Sequence, residues 1–323
     1  PQVCGITSFM SSGLTLPNGP TEFRGGRGRG LIGGRYPASP YRTLDKIEIA
    51  TISNSEDFGE LANQHGFCAC FGSSTRAVFA GGYTGGTAYI ADISAVTIAS
   101  EGGSFDFGDI RLAIKQNTGA SDSTRGLSFG GAASPNTIFA GIDFITIATG
   151  GTDHDFGETL LPRRGGKALA SPTRAVLQRG GADTQASPYY DVTYVIEFVT
   201  IQSKGNGQDF GDTSYSNGIA GSAGSNETRG ILAGYYVQPA NYNTIEFLTI
   251  ATTGNTQDFG DLTSARHGGG MNTSKTRGVM TGSWPGAASN IMDFVTIAST
   301  GDAQDFGDLT TAAYYTAGCS DSN

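Results

Sequence analysis

The stretch NTIEFLTIATTGNTQDFGDL, residues 243–262, holds two different signals. Its first half alternates, with Ile245, Phe247 and Thr249 on one side and Glu246, Leu248 and Ile250 on the other. Apolar residues on both sides mark a strand covered on both faces. TGNTQ (253–257) then reads as a glycine-containing turn that delivers a second short strand, DFGDL (258–262). Asp-Phe-Gly recurs six times, beginning at Asp57, Asp106, Asp155, Asp209, Asp258 and Asp305, at intervals of 49, 49, 54, 49 and 47 residues. A period near 50 makes the chain a repeat protein.

Each unit has one grammar. A run rich in small residues (GGGMNTS, 268–274) leads into Thr-Arg and a short apolar strand (TRAVFAGG, 75–82). A variable loop, the alternating strand, a glycine turn and the Asp-Phe-Gly strand follow. Four short strands per unit specify a propeller blade. No segment sustains helical spacing, so the expected fold is all-β, a six-bladed β-propeller. The Thr-Arg or Arg-Gly element also occurs six times, at Arg29, Arg76, Arg125, Arg174, Arg229 and Arg277. AGCSDSN (317–323) is a first strand with no second strand after it, and GRGLIGG (28–34) is a second strand with no first before it. Joined in one blade, they close the ring and remove its exposed edges. Residues 1–27 are expected to form an N-terminal arm or extension, and residues 28–323 the propeller. If the first strands line the axis, crowding explains their small side chains.

The double glycine ending the second strand (Gly33-Gly34, Gly81-Gly82, Gly130-Gly131, Gly180-Gly181) resembles the kelch-type propeller. The chain departs from kelch in placing Phe (Phe58, Phe107, Phe156, Phe210, Phe259, Phe306) where kelch has Trp, and in ends such as Thr281-Gly282. The wording TRG-apolar-GG, TIEF, TIATTGN and QDFGDLT is also similar to propeller repeat proteins of marine tailed-phage virions. That resemblance implies a non-enzymatic structural protein of the virion (decoration, tail or fibre), hence a virion or extracellular location. Its partners would be other virion or assembly proteins, further copies of itself, or a host-surface glycan. An adhesin that binds glycans is the alternative reading, and a glycosidase-type propeller enzyme the third.

Six copies of Asp-Phe-Gly exclude the kinase metal motif, which acts once beside partners lacking here. In the repeat, Phe is expected to pack between blades, Gly to permit a turn, and Asp to accept turn amides. The six arginines are expected to pair with aspartates of the Asp-Phe-Gly-Asp turns, making both sets architectural.

The net charge of −9 argues against a nucleic-acid partner; FRGGRGRG (23–30) is the one basic cluster. No apolar run is long enough to suggest membrane insertion. Cys4, Cys68, Cys70 and Cys319 are too few for a disulfide framework; a metal cluster of His65, Cys68 and Cys70 is set aside because equivalent positions hold Gly, Ala, Asn or Met, so the cysteines read as small buried side chains and no metal or cofactor is expected. His65, His154 and His267 fall in different blade contexts, unlike the ligand set of a copper oxidase. The single Trp and the absence of Asp-box turns speak against a sialidase, and no phosphate loop is present.

The repeats differ most between the second and third strands, where Tyr36, Tyr41, Tyr83, Tyr89, Tyr189, Tyr190, Tyr236, Tyr242 and Trp284 lie. Equivalent loops of a ring share a rim, and loops on a rigid scaffold are where binding is found. Tyr36, Tyr83, Tyr89, Tyr189, Tyr190, Tyr236, Tyr242 and Trp284 are therefore the candidate ligand residues. Arg111, Arg163, Arg164, Arg266, His267, Tyr314 and Tyr315 are assigned to the opposite rim.

Overall fold

A computed structural model of the protein describes residues 28–36, 42–84, 88–135, 137–178, 180–181, 193–217, 219–284 and 287–321. Tyr41, Tyr189, Tyr190 and the proposed arm lie outside them. Six four-stranded antiparallel sheets follow one another as blades, and no helix occurs among the described residues. Blade 1 contains Arg29–Gly33, Thr43–Glu48 and Glu56–Glu60, with Ala317–Ser320 as its first strand. Blade 2 is Ala69–Gly72, Arg76–Tyr83, Tyr89–Thr97 and Phe105–Asp109. Blade 3 is Thr118–Ser121, Arg125–Phe129, Gly141–Thr146 and His154–Glu158, with a small pair, Ala132–Ala133 and Thr137–Ile138, beside it. Blade 4 is Lys167–Ala170, Arg174–Gln178, Thr193–Thr200 and Gln208–Asn217. Blade 5 is Ile219–Ser225, Arg229–Val237, Ala240–Thr249 and Gln257–Asp261. Blade 6 is Gly270–Thr273, Arg277–Ser283, Ser289–Thr296 and Gln304–Ala313.

The ring closes as the sequence predicts, with Gly30 opposite Ser320 and Ile32 opposite Gly318. A local turn completes the seam. In Ser-Ser-Thr-Arg (73–76) and its relatives, the leading polar side chain accepts the Arg amide: Ser73 from Arg76, Asp122 from Arg125, Ser171 from Arg174, Asn226 from Arg229 and Ser274 from Arg277. In blade 1 the same turn is made across the seam, where Asp321 Oδ1 accepts the amides of Gly28 and Arg29, each at 3.0 Å.

The repeated arginines do not pair with the Asp-Phe-Gly aspartates. Each reaches into the next blade and donates to the carbonyl that follows its third strand: Arg29 to Ile98, Arg76 to Ile147, Arg125 to Ile201, Arg174 to Ile250, Arg229 to Ile297, and Arg277 to Ile49 across the seam. In blades 3 to 6 the guanidinium also lies over the third-strand Phe of its own blade, with Arg125, Arg174, Arg229 and Arg277 4.2–4.5 Å from the ring centroids of Phe144, Phe198, Phe247 and Phe294. The six aspartates are exposed. Asp106 and Asp305 accept the amide of the glycine two residues on, and Asp155 lies 3.5 Å from Arg111. The physical reason is reach. The arginine begins its strand at the rim where third strands end, so a carbonyl of the neighbouring blade is within range and the outer-strand carboxylate is not.

The Phe of each Asp-Phe-Gly is buried between blades, as expected. One cluster joins Leu31, Leu44 and Phe58 of blade 1 to Ala77, Phe79 and Val96 of blade 2, and five equivalents fill the other interfaces. The Gly sits at a bulge that recurs in every blade, for example between Ile245 and Glu246. A Cβ at Gly211 (φ +143°) would stand 2.4 Å from the Gly254 carbonyl oxygen of the next blade, so the backbones touch where only glycine fits. The Gly254 amide donates to the Phe210 carbonyl at that contact.

Arg174→Met removes the bond to Ile250 and the contact with Phe198, and is expected to cost about 2 kcal/mol of folding stability. Asp209→Asn, at an exposed outer-strand acid, is expected to cost less than about 0.5 kcal/mol. Denaturant unfolding of both variants checks this, and equal losses would return the aspartates to partnership with the arginines.

Candidate binding rim

Strands in a four-stranded antiparallel blade alternate in direction. The second-to-third connection therefore leaves from the same end as the return from the fourth strand to the next first strand. Both kinds of loop share one rim, and the assignment of Tyr314, Tyr315 and His267 to the opposite rim is corrected by the pairing of Tyr36 with Tyr314, Gly66 with Tyr83 and His267 with Trp284. The opposite rim holds the Thr-Arg turns and the turns before the Asp-Phe-Gly strands.

On the shared rim, aromatic rings connect across four consecutive blades, 5, 6, 1 and 2. Tyr236 lies 5.1 Å from His267, His267 6.1 Å from Tyr315, Tyr315 5.1 Å from Tyr314, and Tyr314 4.4 Å from Trp284. Tyr314 lies 5.4 Å from Tyr36, Tyr36 6.3 Å from Tyr83, and Tyr83 6.1 Å from Tyr89. Lys115 of the blade 2–3 connection closes this end, its Nζ 4.9 and 4.6 Å from the ring centroids of Tyr83 and Tyr89. All of these tyrosines, and Trp284, are half-buried. Among the described residues, blades 3 and 4 carry Ala132 and Gly181 at the positions of Tyr83 and Trp284.

Of the predicted ligand residues, the structure thus brings together Tyr36, Tyr83, Tyr89, Tyr236 and Trp284. Tyr242 belongs to another stack, 4.7 Å from buried Tyr235, whose other face meets Tyr215 at 5.5 Å. The rim arginines are committed elsewhere. Arg266 pairs with Asp293 at 2.7 Å, Arg163 with Glu197, and Arg35 with Asp45 at 2.6 Å, all buried.

His267 is a neutral member of the crescent. Burial holds its pKa down to about 4, and its Nδ1 meets Asn241 Oδ1 at 2.6 Å. His65 touches Ser94 Oγ at 2.8 Å, but both residues are fully buried and present nothing to a substrate. Exposed His154 lies beside Phe144. Among the described residues no three His, Cys, Asp or Glu side chains gather as a metal would need.

At the axis the crescent borders a small, open cavity whose lining includes Phe67, Gln116, Asn117, Gly165, Lys167 and Tyr315. Phe67, Gln116 and Tyr315 have φ of 60°, 59° and 51° at places where Gly165 and Gly268, with φ of 67° and 70°, make the same turn in other blades. The rings of Phe67 and Tyr315 lie 4.2 Å apart. Below them Lys167, on the first strand of blade 4, also lines the axial channel beside Cys68 and Cys70. Burial depresses the Lys167 amine to about 8 and raises the Cys68 thiol to about 12. Of the residues that line this cavity, the sequence singles out Cys68, Tyr315 and, only as a rejected phosphate loop, the Gly-Gly-Lys of 165–167. The available signal was that large residues stand at 67, 116 and 315 where equivalent positions hold glycine.

No protein-family model matches the chain, and no curated protein matches it in sequence.

The folded amine of Lys167 titrates near 8 and an unfolded one near 10.5, so between these values the unfolded chain binds more protons. Stability is therefore expected to rise as pH increases from 8 toward 10.5, and to show no Lys167 contribution to the slope below 8. In Lys167→Met that part of the slope should vanish. Chemical denaturation of both proteins across this range checks it.

Proposed function

We propose that the protein is a non-enzymatic recognition module that binds a saccharide through the aromatic crescent of blades 5, 6, 1 and 2. The observation that carries this reading is the continuity of the crescent across blade boundaries. Tyrosines packed only to finish their own loops would pair within a blade, whereas Tyr36, Tyr83, Tyr314 and Trp284 form one surface drawn from three blades. Flat rings held side by side offer faces for the C–H side of a sugar, and their phenol and indole edges offer polar groups to its hydroxyls. The surface also occupies the rim on which the repeats diverge, over a scaffold whose repeated residues are spent on blade contacts.

The similarity of the repeat wording to phage virion proteins supplies the setting for this proposal, a virion surface component that meets a host glycan. The kelch resemblance supplies the scaffold type.

Trp284→Ala combined with Tyr83→Ala is expected to weaken binding to a glycan array or to whole cells by about tenfold or more. Tyr242→Ala, which strips an exposed ring outside the crescent, should leave binding unchanged. Far-UV circular dichroism reports whether each variant keeps its sheet content. Binding that survives the double substitution in a folded protein would refute the crescent as the site.

A further inference from the structure

The cavity where the crescent meets the axis has three features that packing alone does not require. The first is stored strain. Phe67 and Tyr315 adopt a left-handed backbone that costs a non-glycine residue of order 1–2 kcal/mol. Gly165 and Gly268 show that the turn can be made without that cost. The penalty is accepted where it sets two aromatic rings together at the mouth, and strain retained in this way points to a ligand contact.

The second feature is a cation without a carboxylate. The Lys167 ammonium makes no ion pair or hydrogen bond among the described residues, although the side chain is half-buried in the lining. The third is an unsatisfied acceptor. Asn117 is 5% exposed, and its Nδ2 donates to the Ala80 carbonyl at 3.1 Å and to Ser128 Oγ at 3.0 Å. Those bonds fix the amide orientation, and Oδ1 is left buried with no donor. A buried acceptor without a partner costs about 1–3 kcal/mol, which a ligand donor would recover.

We propose that this cavity is the specificity pocket of the saccharide site and takes a single sugar residue bearing a carboxylate. The carboxylate pairs with Lys167, the apolar face of the ring lies against Phe67 and Tyr315, and a hydroxyl donates to Asn117. The inference rests on the saccharide reading of the crescent and narrows it to an acidic sugar. One ammonium matches one negative charge, whereas a phosphate is ordinarily held by several donors at once. Since the chain carries a net charge of −9, an acidic ligand is attracted only where a local cation stands apart from carboxylates. Lys167 is such a cation. The titratable groups facing it, the Cys68 and Cys70 thiols, are both raised by burial and stay neutral below pH 8.

The test uses the full chain and matched probes that differ only in the acid: methyl glucuronoside against methyl glucoside, and methyl galacturonoside against methyl galactoside. Titration calorimetry and saturation-transfer NMR at millimolar ligand are expected to give at least tenfold tighter binding of the acidic member of one pair. That preference should disappear in Lys167→Met and decline as pH rises above 8. Tyr315→Asn, which tolerates the left-handed backbone but lacks the ring, should weaken the acidic sugar at least fivefold. Equal binding of acidic and neutral sugars, abolished by the Trp284 and Tyr83 substitutions but not by Lys167→Met, would overturn this inference and leave the crescent reading standing. Failure of every sugar to bind would overturn both.

Discussion

The bond from each repeat arginine to the carbonyl beyond the next blade's third strand is the constraint that makes the ring. A blade buries only part of its apolar surface by itself, and the remainder is covered by a neighbour held at a fixed angle. Arg125, Arg174, Arg229 and Arg277 fix that angle by joining a carbonyl of one blade to the guanidinium of another, while the same planar group covers an aromatic ring of its own blade. Lysine could supply the charge but not a flat face together with directed N–H groups. Because Arg277 must find Ile49, the sixth arginine works only if the sixth blade meets the first. The shared turn at Asp321 meets the same demand at the other side of the seam.

A second link runs along the outside of the ring. The glycine bulge of one blade accepts the turn of the next, with Gly254 donating to Phe210 and Gly301 to Phe259. Buried acids on the third strands add a third link. Asp45 accepts Thr310 of the preceding blade, and Asp293 accepts Thr263. These links consume polar and charged groups in a regular pattern. Arg35, Arg163 and Arg266 are absorbed by carboxylates of the same acid positions, so cations that look available in the sequence are occupied in the fold.

Regularity is what the sequence exposes well. Six Asp-Phe-Gly copies, the alternation at 243–252 and the orphan strands at the two ends were enough to read blade number, strand order and closure, because each rests on spacing along the chain. The partners of the arginines were not legible, since equal numbers of Arg and Asp per repeat carry no information about which atom lies in reach. The rim assignment of Tyr314 and Tyr315 failed for a related reason. It treated the two connections of a blade as opposite, although four antiparallel strands return the chain to the end from which the second-to-third loop leaves. Tyr36, Tyr83 and Trp284 were found because they lie in the connections where the repeats differ most, whereas Asn117 and Lys167 are modest departures that gain meaning only from what surrounds them.

A sixfold scaffold is indifferent to any single partner, so recognition has to come from departures from its symmetry. Large side chains at 67, 116 and 315 replace the glycine retained at 165 and 268, and the aromatic positions of blades 1, 2 and 6 become Ala132 and Gly181 in blades 3 and 4. Among the described residues the aromatic crescent thus spans four of the six blades, and Lys167 lines the axial cavity together with Phe67 and Tyr315.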